Sequence, residues 1–173
     1  MPEESTFPGH SSSNRAQHTA GQAMVEFVFA LPILLLLIAG IIEFGRLMAV
    51  HSVINAASRE AARFAASAGD AGPGTQRHYQ DCDAIRESAI RVSESLLEID
   101  PSNIEIEYDS GPGSALLTPV GCPPPVAQVG LGTRVVVRVS ADYEPMVPLV
   151  PLGPMSISSE TRRTLVTDVD PNP

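Results

Sequence analysis

Lysine and tryptophan are both missing from this chain of 173 residues. Without lysine there is no phosphate-binding loop of the usual kind, and the glycines at Gly72–Gly74 and Gly111–Gly113, interrupted by prolines, read as turns. Eleven arginines stand against twenty acidic side chains, for a net charge of −9. The basic patch that a nucleic-acid binder needs is therefore lacking, and no nucleic-acid partner is expected. The absence of tryptophan beside 16 prolines points to a distal domain that is small, loop-rich and lightly cored. Histidine is scarce too: beyond residue 21 only His51 and His78 occur. His51 lies on an extended helical pattern and His78, near Asp81, reads as a loop residue, so no catalytic residue and no cofactor are expected.

Charge is absent as well from Phe27 to Ile42, sixteen residues dominated by Leu, Ile, Val and Phe. At helical rise this run spans about 24 Å, short of a hydrocarbon core of roughly 30 Å. Extending the helix back through Val25, Met24 and Ala23 supplies the missing length and carries Glu26 into the outer edge of the bilayer. An unpaired carboxylate there costs on the order of 2 to 3 kcal/mol. Glu26 is then either a flank in the headgroup layer or a group placed to meet a positive charge. A cleaved secretory signal is a poor fit, because the preceding stretch is long and polar and Glu43-Phe44-Gly45-Arg46 follows with no Ala-x-Ala site.

Gly21 is followed by Glu26 and Phe27 at the fifth and sixth places after it, immediately before the apolar run. This arrangement resembles the processing site of type IV prepilins, in which a prepilin peptidase cuts after the glycine on the cytoplasmic side. The wider string from Gly21 to about Ala66, with EFGR and NAASREAAR, is similar to the TadE-like family of minor pilins and pseudopilins from tight-adherence, type IV-like pilus systems. Two positions depart from the pattern: Phe27 stands where tyrosine is common, and no lysine flanks the glycine.

The resemblance implies cleavage between Gly21 and Gln22, with Glu26 and Phe27 retained for assembly. It also implies a non-catalytic role in building a Flp-type pilus that serves cell adhesion, with the membrane, the prepilin peptidase, other pilins and pseudopilins and the pilus assembly machinery as partners. Cleavage would leave Gln22 with an α-amino group of pKa about 8, largely cationic at neutral pH, unless the glutamine cyclises. In the resemblance that amine is matched to a glutamate during assembly, which converts a costly carboxylate into a register device. Loss of the leader would leave ten arginines and eighteen acids, a net charge of −8.

Arginine placement speaks against the implied topology. Arg15 alone precedes the run, while Arg46, Arg59 and Arg63 follow it, which by itself favours a cytoplasmic C-terminus. The polar leader, the cysteine pair and the resemblance favour the opposite. The expectation is a single pass of the cytoplasmic (inner) membrane with the C-terminal portion extracytoplasmic, and association with the pilus is the further location that the resemblance implies.

The helix is expected to continue past the membrane. Leu47, Val50, Ile54, Ala57, Ala61, Phe64 and Ala68 recur at spacings of three and four, and Gly69, Asp70 and Gly72 supply the stop. About 45 residues of helix would be near 70 Å long. Small residues are dense on it (Ala39, Gly40, Gly45, Ala49, Ala57, Ala61, Ala65), fit either for close helix packing or simply for helix propensity. Asn55, Arg59 and Arg63 form a polar edge, with Glu60 placed to pair with Arg63.

The fold class expected is α+β. Residues 1–21 form a cytoplasmic leader that is cleaved, 22–68 a transmembrane and amphipathic helix, and 69–173 a small pilin-like extracytoplasmic domain with a second helix and an antiparallel sheet of about three strands. The second helix starts at Asp81 or Asp83, carries Ile85, Ala89, Val92, Leu96 and Ile99, and ends at Asp100-Pro101. Strands are read at Asn103–Tyr108, Thr133–Tyr143 and Ser156–Val166, with Pro145, Pro148, Pro151 and Pro154 keeping the last connection out of the sheet.

Cys82 and Cys122 both follow the run. Outside the cytoplasm they would most simply form a disulfide closing a loop of about 40 residues. Free thiols are the alternative; a metal site using His78, Asp81, Cys82 and Asp83 matches no usual zinc spacing, and none is expected. Besides the pilus-assembly protein, a single-pass membrane-anchored extracytoplasmic binding module remains as the alternative function, and an anchored enzyme has no feature in its favour.

Overall fold

A computed structural model describes residues 13–69, 76–146 and 154–166, with side chains placed from Gly21 onward. The chain divides into two compact units between Ile42 and Glu43. The first is helical. The helix α1 (Ser13–Ala65) begins in it, and the large apolar side chains from Met24 to Ile42 point outward. Pro32 lies inside the helix. Among the described residues this is the one helix long and apolar enough to cross a membrane, with a mean hydropathy of 2.7 over its most apolar window. A helix apolar on every side fits lipid rather than water.

The second unit is α+β. It contains the last part of α1, then α2 (Cys82–Ser93), β1 (Ile104–Asp109), β2 (Arg134–Tyr143) and β3 (Met155–Thr164). The three strands form an antiparallel sheet in the order β1-β2-β3. Ile104 pairs with Val139 and Asp109 with Arg134; Arg134 in turn pairs with Thr164 and Tyr143 with Met155.

Alternation sorts the faces. Ile104, Ile106 and Tyr108 of β1 and Val135, Val137, Val139 and Ala141 of β2 are buried together with Ile54, Ala57, Ala61, Ala62 and Ala65 of α1 and Ile85 and Ala89 of α2. The core is thus one sheet face under two helices, and the other face meets solvent. The alanines expected either to join helices or merely to favour helix are, at positions 57, 61 and 65, core residues. A second set of contacts on this face is polar. The Ser58 hydroxyl lies 3.2 Å from that of Ser159 and 3.0 Å from that of Thr161, and Ser159 donates to Asn55 Oδ1 at 2.8 Å. Asn55 therefore docks α1 on β3, whereas its expected companion Arg59 is exposed and Arg63 pairs with Glu60 at 2.5 Å.

Local chemistry sets the element ends. Asp81 caps α2 by accepting from Ala84 N at 3.0 Å. The helix closes at Ser93, earlier than the periodicity suggested; the Ile90 carbonyl there accepts both the Glu94 amide at 3.0 Å and the Ser93 hydroxyl at 2.8 Å. Leu96 is exposed, while Ile99 reaches the core from an irregular segment. The helix α1 ends at Ala65, and Gly69 follows with φ of +95°, a conformation that favours glycine. Asp70, Gly72, Pro148 and Pro151 lie outside the described residues, as do positions 1–12 of the leader. Pro145 and Pro154 lie outside the strands.

The outer sheet face is laced by charge. Arg138 spans all three strands, bonding Glu105 on β1 at 2.9 Å and Glu160 on β3 at 2.7 Å. Arg162 adds a contact to Glu160 at 2.6 Å. At the end of β1, Arg134 binds Asp109 through two bonds of 2.7 and 2.8 Å, and the Asp109 side chain is buried. The valine-rich β2 can therefore carry Arg138 in mid-strand because both of its cross-strand neighbours are carboxylates.

Two outcomes follow from this packing. Replacing Ile54, fully buried beneath the sheet, with alanine should cost about 2 to 5 kcal/mol in urea unfolding of the full chain in detergent. Arg59→Ala, on the exposed side of the same helix, should stay within roughly 0.5 kcal/mol. The second concerns acid. The bonds from Arg134 hold the Asp109 carboxyl below its usual range, with the Gly111 amide and the Arg162 charge adding to the effect and burial opposing it. A carboxyl depressed in the folded state contributes stability that is complete above its unfolded value of about 3.9 and is lost as pH falls through the folded one. Unfolding midpoints measured from pH 6 down to pH 2 should show an acid limb that Asp109→Asn makes shallower; parallel limbs would contradict this assignment.

Candidate processing and assembly site

Gly21, Gln22, Glu26 and Phe27 all lie on α1 within the first unit, and all are exposed. A helix advances about 1.5 Å per residue, so Gly21 and Glu26 are separated by about 7.5 Å along the axis. A Cβ added to Gly21 would meet no atom within 4 Å, so nothing in the packing of this chain demands glycine there. Glu26 has no ion pair among the described residues. Its neighbours Met24, Val25, Phe27, Val28 and Phe29 are 57 to 74 % exposed, so the carboxylate sits alone on an apolar surface.

At the other end of the uncharged run the situation reverses. Glu43 belongs to the second unit, and its side chain is 20 % exposed. The Tyr143 hydroxyl, at the end of β2, donates to the Glu43 carbonyl at 3.1 Å and also to its carboxylate. The Met146 amide reaches the same carboxylate at 3.3 and 3.4 Å. Arg46 pairs with Glu43 at 3.3 Å, lies 5.1 Å from the centre of the Tyr143 ring and donates to the Glu144 carbonyl at 3.4 Å. Sequence inspection marked Glu43 only as the end of the apolar run. Its partners lie about a hundred residues away, and the one signal available was a tyrosine closing a valine-rich strand.

Cys82 and Cys122 are joined in a disulfide, with their Cα atoms 5.8 Å apart. The bond ties the first residue of α2 to the Pro123-Pro124-Pro125 segment. The Tyr108 hydroxyl sits beside it, donating to the Tyr79 carbonyl and lying 3.5 Å from Cys122 Sγ. Burial raises the Tyr108 phenol well above its ordinary pKa, so it stays a neutral donor throughout the physiological range. His78 packs edge-on against Phe64, with ring centres 4.8 Å apart, and Nδ1 is buried without a hydrogen-bond partner. Among the described residues no three His, Cys, Asp or Glu side chains converge in a manner suited to a metal ion. Among the described residues two clefts open to solvent, one beside Glu60, Arg63 and Arg163 and one along the free side of β1.

The disulfide closes a loop between residues 40 apart in sequence. Replacing both cysteines with serine should lower stability by roughly 3 to 4 kcal/mol on the chain-entropy account. Urea unfolding with and without reductant checks this: reductant should shift the native chain toward the double variant and leave the variant unmoved.

No curated protein and no solved structure matches the chain. The resemblance drawn from Gly21, Glu26 and the string that follows them does find a counterpart: residues 21–63 match the family model described as TadE-like protein.

Proposed function

We propose that this chain is a non-catalytic minor pilin or pseudopilin that acts in the assembly of a tight-adherence (Flp-type) pilus. The observation that carries this reading is the coincidence of the TadE-like match over residues 21–63 with a lone Glu26 five residues after Gly21 on an outward-facing apolar helix. In this reading residues 1–21 are a cytoplasmic leader removed by a prepilin peptidase, α1 is the single membrane pass, and the α+β unit stands on the extracytoplasmic side.

The chemistry of assembly follows from charge. A carboxylate left unpaired at the bilayer edge costs on the order of 2 to 3 kcal/mol. Cleavage after Gly21 creates an ammonium at Gln22, and in an assembly of such helices the ammonium of one subunit can neutralise Glu26 of another. The pair would set the axial register between subunits, because any other offset leaves both charges in lipid. Phe27 and its outward-facing neighbours supply the apolar contact around that pair. Other pilins, pseudopilins and the assembly machinery are the partners this surface suits.

Mass spectrometry of the protein purified from a pilus-forming host should find an N-terminus at Gln22, free or cyclised, and the intact Met1 form should accumulate when the prepilin peptidase is removed. Glu26→Gln should be processed normally yet fail to support piliation, read by electron microscopy of the cells. A full-length, unprocessed chain in the membrane would overturn the reading in favour of an anchored binding module, and normal piliation with Glu26→Gln would remove the charge-pairing role.

A further inference from the structure

The bonds at Glu43 have a consequence for the far end of the sheet. Glu43 is the first charged residue after the run and follows Ile42 directly in the sequence. Tyr143 and the Met146 amide are bonded to it. Tyr143 also pairs in register with Met155, which brings both ends of the β2–β3 connection to this same end of the sheet. The large apolar side chains there are open: Met146 is 72 % exposed, Met155 38 %, and on the neighbouring turns of α1 Phe44 is 62 % and Met48 46 % exposed.

We propose that this end of the α+β unit rests on the lipid surface, with Met146 and Phe44 at the acyl boundary and the Glu43–Arg46–Tyr143 cluster at headgroup level. The occupant is the bilayer that the apolar run enters, because Phe44 and Met48 follow that run along the same helix and Glu43 beside them is bonded to Tyr143 and to the Met146 amide. The physical pattern is that of an interfacial anchor: apolar side chains below, with an arginine and a tyrosine hydroxyl above them. The cluster gives the contact rigidity. Glu43 receives donors from β2 and from the connection that follows it, so the apolar methionines are carried by a bonded frame.

The inference rests on the membrane reading of the run, and the absence of tryptophan allows the two to be tested apart. The full chain is reconstituted in vesicles of phosphatidylcholine and phosphatidylglycerol, with and without brominated acyl chains, carrying a single tryptophan at position 36, 146 or 131. Leu36→Trp reports on the run. Leu131→Trp is equally prone to seek an interface, but it sits before Arg134, at the opposite end of β2, and is 96 % exposed. The expected result is strong quenching for Leu36→Trp, a blue shift with intermediate quenching for Met146→Trp, and neither effect for Leu131→Trp. Quenching at 36 with a water-like spectrum at 146 would overturn the proposal while leaving the anchor intact. Quenching equal at 146 and 131 would overturn it as well, as a general attraction of tryptophan to lipid, and no quenching at 36 would remove the membrane reading and the proposal together.

Discussion

One helix has to satisfy two solvents, and the rest of the structure is arranged around that constraint. From Met24 to Ile42, Glu26 apart, the side chains of α1 are mostly large, apolar and exposed, a surface suited to lipid. From Glu43 onward the apolar residues narrow to a stripe, Ile54, Ala57, Ala61 and Ala65, and that stripe is buried. The sheet could not close its core without it. The twelve residues of α2 extend about 18 Å, whereas the ten-residue strands β2 and β3 run roughly 33 Å. A second helical cover is required, and the membrane helix supplies it from its own continuation.

Alanine and serine on that continuation decide how it seats. Ser58 reaches Ser159 and Thr161, and two hydroxyl groups on short side chains can bond only where their backbones come near. Together with the bond from Ser159 to Asn55, they tie α1 to an edge strand whose own pattern is too polar to be held by hydrophobic burial. Hydroxyl and amide partners under a sheet are directional, so they specify one seating where an alanine stripe alone would permit sliding. The opposite sheet face carries charge pairs instead. Arg138 pairs with carboxylates on both neighbouring strands at the surface, while the Arg134–Asp109 pair and Val136 on the same face are largely buried.

The elements that periodicity governs were legible in the sequence. The α+β class, the alternation of Ile104, Ile106 and Tyr108, the valine-rich β2 and the buried stripe of α1 all follow from spacing alone. The end of α2 and the long-range polar contacts were not legible in this way. The helix α2 stops at Ser93 although Leu96 and Ile99 keep the helical period, and Ile99 still reaches the core from an irregular segment. Asn55 read as part of a solvated edge, since its partner Ser159 is about a hundred residues away. The cluster at Glu43 was hidden for the same reason. The candidate processing residues stood out because they are local: a glycine, a carboxylate and an apolar run in fixed order.

Two carboxylates flank the uncharged run, and the chain treats them differently. Glu43 is given a tyrosine hydroxyl, a backbone amide and an arginine from its own fold. Glu26 is given nothing among the described residues, although it lies among the most exposed apolar side chains of the molecule. A carboxylate at a bilayer edge is expensive to leave unpaired, and the treatment of Glu43 illustrates how a single chain can remove that expense. Among the described residues Glu26 has no ion pair, so its charge is met by water and headgroups or by another molecule. The contrast between the two ends of the uncharged run is what the proposed pairing of Glu26 with another subunit would require.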